Sequence, residues 1–287
     1  MADDRFPPPG ACDCHVHAIG PKDRFPLARA RNYTPMDALA GALAAMLARL
    51  RLDRVVLVQP SFYRTDNACM LAAMAELPAA RGVAVLPARV AAAELDDLHA
   101  RGIRGLRVNI ATSGSAPLEA MRRDIEAAAF LSDRHGWHVQ IFVPAAAIEA
   151  LAPILLGLPV ETVIDHFGLI APGPETPALR ALLRLLETGK IWVKISGAYR
   201  IADDPFDVRI GPLARALCAA NPERIVWGSD WPHTPKHGAG RPAGDQELPF
   251  QNIDTRGLLA SVPKWLGDER LVRQVLVSNP ARLYGFE

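Results

Sequence analysis

The stretch Arg54-Val55-Val56-Leu57-Val58-Gln59-Pro60 decides the fold. Its aliphatic run has no polar face, so a strand here must be covered on both sides, as in a parallel sheet wrapped by helices. The flanking sequence supplies those helices. Upstream, residues 36–51 carry Leu39, Leu43, Met46, Leu47 and Leu50 at helical spacing, with Thr34 as the expected N-cap and Pro35 at the first position. Downstream, a helix through Met70 and Met74 leads to a strand at Gly82–Ala88, and a short helix around Leu95 leads to Ile103–Ile110.

The same alternation runs on through His138–Val143, Val160–Phe167, Lys190–Gly197 and Arg224–Asp230, each preceded by a helical pattern. With an opening strand over residues 11–17, this makes eight strand-helix alternations. Alternation of this kind means a parallel sheet, and eight repeats predict a closed (β/α)8 TIM barrel. Residues 253–265 and 268–278 read as further helices closing the outer ring. No linker divides the chain, so residues 1–287 read as one domain. The Gly- and Pro-rich stretch Thr234–Phe250 reads as a long loop after the last strand, placed to act as a lid.

Bulk composition removes several function classes. Lys plus Arg number 32 against 31 Asp plus Glu, a formal net charge of +1, so no global basic field draws nucleic acid or an acidic membrane. No apolar run reaches spanning length. The start is polar and Pro-rich (Asp3, Asp4, Pro7, Pro8, Pro9) and does not read as a secretory signal. Cys12, Cys14, Cys69 and Cys218 read as reduced, buried thiols, with a zinc site using Cys12 or Cys14 as the alternative. The expectation is a cytoplasmic protein acting on a small molecule, without nucleic-acid or membrane partners and with its oligomeric state left open.

The polar residues at strand ends carry the chemistry, because a barrel of this type builds its active site where the strands finish. The opening strand ends in Asp13-Cys14-His15-Val16-His17, and strict alternation would put Asp13, His15 and His17 on one face, with Cys12, Cys14 and Val16 on the other. The remaining strand ends supply Gln59 and Ser61, Arg107 and Asn109, His166, Ser196, and Asp230. Imidazoles can polarise a carbonyl or hold a metal, a carboxylate can take a proton from water, and the planar fork of Arg suits a carboxylate. His99, His135 and His138 fall at the stability end of the barrel, and His233 and His237 read as solvated loop residues. Asp165 has the opposite parity to His166 and is expected to tie down neighbouring backbone. Lys194 either reaches a carboxylate or snorkels outward.

His15-Val-His17, Val-Ile-Asp-His166-Phe-Gly, Val-Lys-Ile-Ser-Gly197 and Trp-Gly-Ser-Asp230-Trp-Pro together resemble the amidohydrolase superfamily, in its branch of pyrone-dicarboxylate and sugar-acid lactonases. Asn32-Tyr33-Thr34-Pro35 and Asn279-Pro-Ala-Arg-Leu-Tyr284 fit the same branch. The resemblance implies a hydrolase opening a carboxylated lactone in the catabolism of aromatic or sugar acids. It implies Asp230 as the base, His15, His17 and His166 around the lactone carbonyl, and Tyr33, Ser61, Arg107 and Arg200 on the substrate's carboxylates, with Asn109 beside them. Departures are present too. Ala111-Thr-Ser-Gly-Ser115 and Leu169 stand where the branch carries further arginines, and Gln140 or Phe142 replaces a fifth-strand tyrosine. Arg29, Arg31, Lys236 and Arg241 are loop cations that could compensate. A substrate with fewer or differently placed anionic groups is therefore expected. The resemblance also implies catalysis without a cofactor, although His15, His17, His166 and Asp230 would suffice for one zinc ion. The alternatives are a zinc-dependent decarboxylase or amide hydrolase, a lactone isomerase, and a sugar-acid binder without turnover.

Overall fold

The apolar runs form eight parallel strands paired in chain order: β1 (Cys12–Val16), β2 (Arg54–Val58), β3 (Ala80–Ala84), β4 (Ile103–Asn109), β5 (His138–Phe142), β6 (Thr162–Ile164), β7 (Ile191–Ser196) and β8 (Ile225–Gly228). The computed structural model describes residues 6–111, 116–235, 244 and 246–286. Backbone bonds at the top of the ring join the first strand to the last. Asp230 N donates to His15 O at 2.8 Å and His17 N donates to Trp231 O at 2.9 Å. The predicted (β/α)8 barrel is therefore the observed architecture.

Seven helices alternate with the strands: α1 (Ala40–Leu50), α2 (Ala68–Glu76), α3 (Ala92–Ala100), α4 (Leu118–Asp133), α5 (Ile148–Gly157), α6 (Pro177–Glu187) and α7 (Ile210–Ala220). Helix α6 shows how the sequence sets them. Thr176 caps it by accepting from Leu179 N, Pro177 follows at the first turn, and Leu179, Leu182, Leu185 and Leu186 turn inward. Three further helices, α8 (Thr255–Leu266), α9 (Glu269–Arg273) and α10 (Asn279–Tyr284), close the ring, with a π-helical turn at Gln274–Ser278 between the last two. Among the described residues, no helix is long and apolar enough to cross a membrane.

Two apolar layers result. The larger lies between strands and helices, with Leu57, Leu106, Ile141, Val193 and Trp227 facing Leu43, Ile125, Leu182 and Leu217. The smaller fills the inside of the barrel below the strand ends with Cys12, Cys14, Val56, Val58, Val83, Val163 and Val226, and Tyr284 joins it from the C-terminal helix. All four cysteines are buried and free.

Two expectations change here. Thr34 and Pro35 do not start α1, whose N-cap is Leu39. They instead pair, as a two-residue parallel strand, with Glu247–Leu248 from the loop after β8. Thr34 N donates to Gln246 O at 3.2 Å, and Thr34 Oγ1 donates to Gly244 O at 2.6 Å. These cross-chain bonds compete successfully with the local cap. The second change is in β1, where alternation breaks. Asp13 pairs with Val55 but Val16 pairs with Leu57, so β1 holds one residue more than β2 over that span. This bulge separates Cys12 and Cys14, inside the barrel, from Val16, which packs in the outer layer.

Candidate active site

All nine sequence-derived site residues meet at the C-terminal mouth of the barrel. His17, Tyr33, Ser61, Arg107, Asn109, His166 and Arg200 line a small cavity of about 20 Å³ together with Phe62, Phe142 and Thr234. His15 and Asp230 lie beneath it, fully buried. The β1 bulge brings His15 there. Its ring centroid lies 4.6 Å from that of His166 and 5.1 Å from that of His17. Gly228 makes room, because a Cβ at that position would come within 2.6 Å of His15 Cβ.

Asp230 is the centre of the cluster. Its Oδ2 accepts from Tyr199 OH at 2.7 Å and from Arg200 Nε at 2.5 Å. Its Oδ1 faces His17 Nε2 at 3.5 Å and His15 Nε2 at 3.7 Å. Burial alone would raise the Asp230 carboxyl, but the Arg200 guanidinium and the surrounding imidazoles outweigh it and hold the group well below the usual carboxylate range. The imidazoles respond the other way. Burial pushes His15 well below its ordinary value and His166 down to about 4. Second contacts fix the rings: His17 Nδ1 donates to Val58 O at 2.7 Å, and His166 Nδ1 lies 2.9 Å from Ser196 Oγ.

Sequence reasoning misplaced or missed Asp165, Tyr199, His233 and Asp13, and left Lys194 open between two orientations. Asp165 does not tie down backbone with its side chain. It points into the barrel, where Oδ1 lies 3.3 Å from His15 Nδ1, and Oδ2 accepts from Gln140 Nε2 at 3.1 Å and lies 3.5 Å from Arg107 Nη2. Parity failed because β6 stops at Ile164 and His166 begins a run of positive φ, so neighbouring side chains converge. Lys194 turns inward, donating to Gln140 Oε1 at 2.7 Å and to Cys14 O at 2.8 Å. Tyr199, overlooked beside Arg200, hydrogen-bonds the central carboxylate. His233 is buried against Tyr199 and pairs with Thr255 Oγ1 at 2.8 Å, so it is not a solvated loop residue. Asp13 also leaves the face expected of it, its Oδ1 accepting from Ser229 N at 2.8 Å, and burial pushes its carboxyl up to about 6.

Phe142, rather than Gln140, occupies the cavity wall on the fifth strand, and the guanidinium carbons of Arg107 and Arg200 lie 5.7 Å and 6.0 Å from its ring. A groove of about 400 Å³ adjoins the cavity and shares Ser61, Arg107 and Asn109 with it. Arg31 and Arg64 flank this groove, and Arg31 also donates to Thr34 Oγ1 at 2.9 Å. Lys236, His237 and Arg241, and residues 112–115, lie outside the described residues.

Ligand atoms of His15, His166 and Asp230 lie within 4.8 Å of one another. Among the described residues, His15 Nε2 and Asp230 Oδ1 have no hydrogen-bond partner. The donor set fits one divalent ion of the zinc type, which would there polarise a carbonyl or acidify a water.

Comparisons with known proteins place the whole chain. The chain is 33% identical to a 4-sulfomuconolactone hydrolase of Rhizobium radiobacter, covering 97% of this chain and 91% of that protein. It is 31% identical to a 2-pyrone-4,6-dicarboxylate hydrolase of Comamonas testosteroni, covering 96% and 90%. Among solved structures, a probable 2-pyrone-4,6-dicarboxylic acid hydrolase from Acinetobacter baumannii, crystallised with citric acid, superposes with a TM-score of 0.79 at 26% identity, covering 96% of this chain and all of that one. A family model described as amidohydrolase matches residues 12–286, and the chain belongs to that family.

Proposed function

We propose that this protein hydrolyses a small carboxylated lactone without a metal. The observation that carries the reading is Asp230, a buried carboxylate with one oxygen neutralised by Arg200 and Tyr199 and the other turned toward the imidazoles of His15 and His17. The names of the relatives, hydrolases of a muconolactone and a pyrone, agree in reaction class.

The substrate's ring carbonyl lies against His166, His15 and His17, and its carboxylate meets Arg107, with Tyr33, Ser61 and Asn109 as further polar contacts. Asp230 Oδ1 takes a proton from water as the water oxygen bonds to the carbonyl carbon. Negative charge builds on the former carbonyl oxygen. The proton now on Oδ1 is shared with the adjacent Nε2 of either His15 or His17, so one N–H group meets that charge as it forms. Collapse of the tetrahedral adduct breaks the ring C–O bond, and the departing oxygen takes the proton back from Asp230. The product is a hydroxy acid. Arg200 has a second task, since its contact with Oδ2 keeps Asp230 ionised at neutral pH.

Metal independence rests on that same contact. Arg200 and Tyr199 already supply positive charge and a hydrogen bond at the carboxylate, and the fifth strand ends in Phe142 rather than a histidine. A soluble, cytoplasmic role in the catabolism of aromatic or sugar acids belongs to the same reading. The test is a panel of carboxylated lactones followed by acid release, with wild-type protein and Asp230→Asn, each with and without a strong chelator. Wild type turns over in both conditions, and Asp230→Asn loses at least about a thousandfold in kcat while still binding ligand. Near-normal turnover by Asp230→Asn defeats the mechanism. Loss of wild-type activity on chelation, restored by zinc, replaces it with a metal-dependent one.

A further inference from the structure

Asp165 has no part in the steps above, yet it is fully buried and touches both halves of the site. Its Oδ1 is 3.3 Å from His15 Nδ1, neither atom having a hydrogen-bond partner among the described residues, and its Oδ2 is 3.5 Å from Arg107 Nη2. Behind it stands a chain whose polarity chemistry dictates. Lys194 can only donate, so Gln140 must present Oε1 to Lys194 (2.7 Å) and Nε2 to Asp165 (3.1 Å). Lys194 itself lies farther from the carboxylate, 4.0 Å from Oδ1, and is anchored on Cys14 O in the strand that carries His15. A carboxylate serving only to balance Lys194 would contact it directly. Here the nearer partners are instead the imidazole of His15 and the guanidinium of Arg107.

We infer that Asp165 is a positioning residue that couples anion recognition to the reacting carbonyl. With one oxygen it holds the Nδ1 edge of His15, which leaves Nε2 facing Asp230. With the other it holds Arg107 at the wall shared by cavity and groove. Gln140 and Lys194 keep the carboxylate from turning. When His15 shares the proton that Asp230 takes from water, Asp165 stabilises the resulting positive ring, the role a buried carboxylate plays behind the histidine of a hydrolytic triad. One side chain thus sets both where the anion is read and where the carbonyl is polarised.

This inference rests on the lactone-hydrolase reading, so its test includes readouts that do not need turnover. In Asp165→Asn, kcat falls about a hundredfold on a carboxylated lactone and on the matching lactone without the carboxylate, because His15 loses its partner in both. KM rises about tenfold only on the carboxylated substrate, because Arg107 has lost its anchor. Citrate binding by calorimetry weakens by a similar factor. A purely structural role would lower the melting temperature while leaving kcat, KM and citrate affinity of the folded protein unchanged, and that result overturns the inference. Should the variant not fold, nitrogen-15 spectra of the wild-type imidazoles decide the matter: His15 carries its proton on Nδ1, and a proton on Nε2 of neutral His15 overturns the inference. If wild type cleaves neither lactone, the hydrolase reading fails, while the citrate and imidazole measurements still judge Asp165.

Discussion

At the scale of single residues, the proposed mechanism separates reading an anion from moving a proton. Arg107 lies on the wall between cavity and groove, and its Nη1 donates to Gln59 O at 3.0 Å, leaving the fork oriented by backbone and by Asp165. Replacing it with alanine removes one charge-assisted contact, worth roughly 1.5–3 kcal/mol. For Arg107→Ala, kcat/KM on a carboxylated lactone should drop roughly ten- to a hundredfold, and on a lactone without the carboxylate much less. Equal losses on both would mean that Arg107 acts on the carbonyl or through Asp165 alone. Arg200 is a poorer target for such an experiment. It is already bonded to Asp230 and Thr234, so its removal strips a buried carboxylate of its partner, a change that typically costs about 3–5 kcal/mol by itself.

At the scale of elements, strand ends and their irregularities make the site. Gly228 in β8 gives the clearest prediction. A Cβ there would lie 2.6 Å from His15 Cβ and 2.7 Å from His15 N, and backbone cannot step aside as a flexible side chain can. Gly228→Ala should destabilise the fold by about 1–3 kcal/mol and lower turnover by displacing His15. Gly41 in α1, with nothing within 4 Å of its would-be Cβ, should gain up to about 1 kcal/mol on the same change. Chemical denaturation and initial rates check both, and an unaffected Gly228→Ala would show that β1 yields. Alternation holds in the regular strand β4, where Arg107 and Asn109 both line the cavity. It failed at Asp13, because one inserted residue in β1 leaves no trace in the pattern of residue types. It failed at Asp165 because the chain leaves the strand there, and Phe167, Gly168 and Leu169 all take positive φ. His233 read as exposed because its surroundings are rich in Pro and Gly, whereas contacts with Tyr199 and Thr255, distant in sequence, bury it. Tyr199 carried a usable signal, since a tyrosine directly before a site arginine and just past a strand end faces the same mouth.

At the scale of the whole molecule, burial holds four imidazoles below their ordinary range. Burial pushes His138 down to about 3 and His166 and His233 to about 4, and holds His15 well below its ordinary value of 6.5. In the unfolded chain these rings titrate near their ordinary value, so below about pH 6.5 the unfolded state binds protons that the folded state refuses. Stability therefore falls as pH drops from about 6.5 toward 4. Asp13 opposes this, because its carboxyl, raised to about 6, takes up a proton in the folded state first, which offsets one of the four histidines. The net loss should be on the order of 1 kcal/mol or more per pH unit, seen as a falling urea midpoint between pH 7 and pH 5. A midpoint that stays level would mean that these rings are already charged in the native protein. The pairing of Thr34–Pro35 with Glu247–Leu248 has its own consequence at this scale. It works as a keystone, fastening the segment that leaves the first stave of the barrel to the segment that leaves the last, above the floor where Asp230 waits. The flank at Ser61, Arg107 and Asn109 is common to the outer groove and the inner chamber. On the proposed mechanism, a visiting molecule is inspected for charge at that flank before its ring is opened inside.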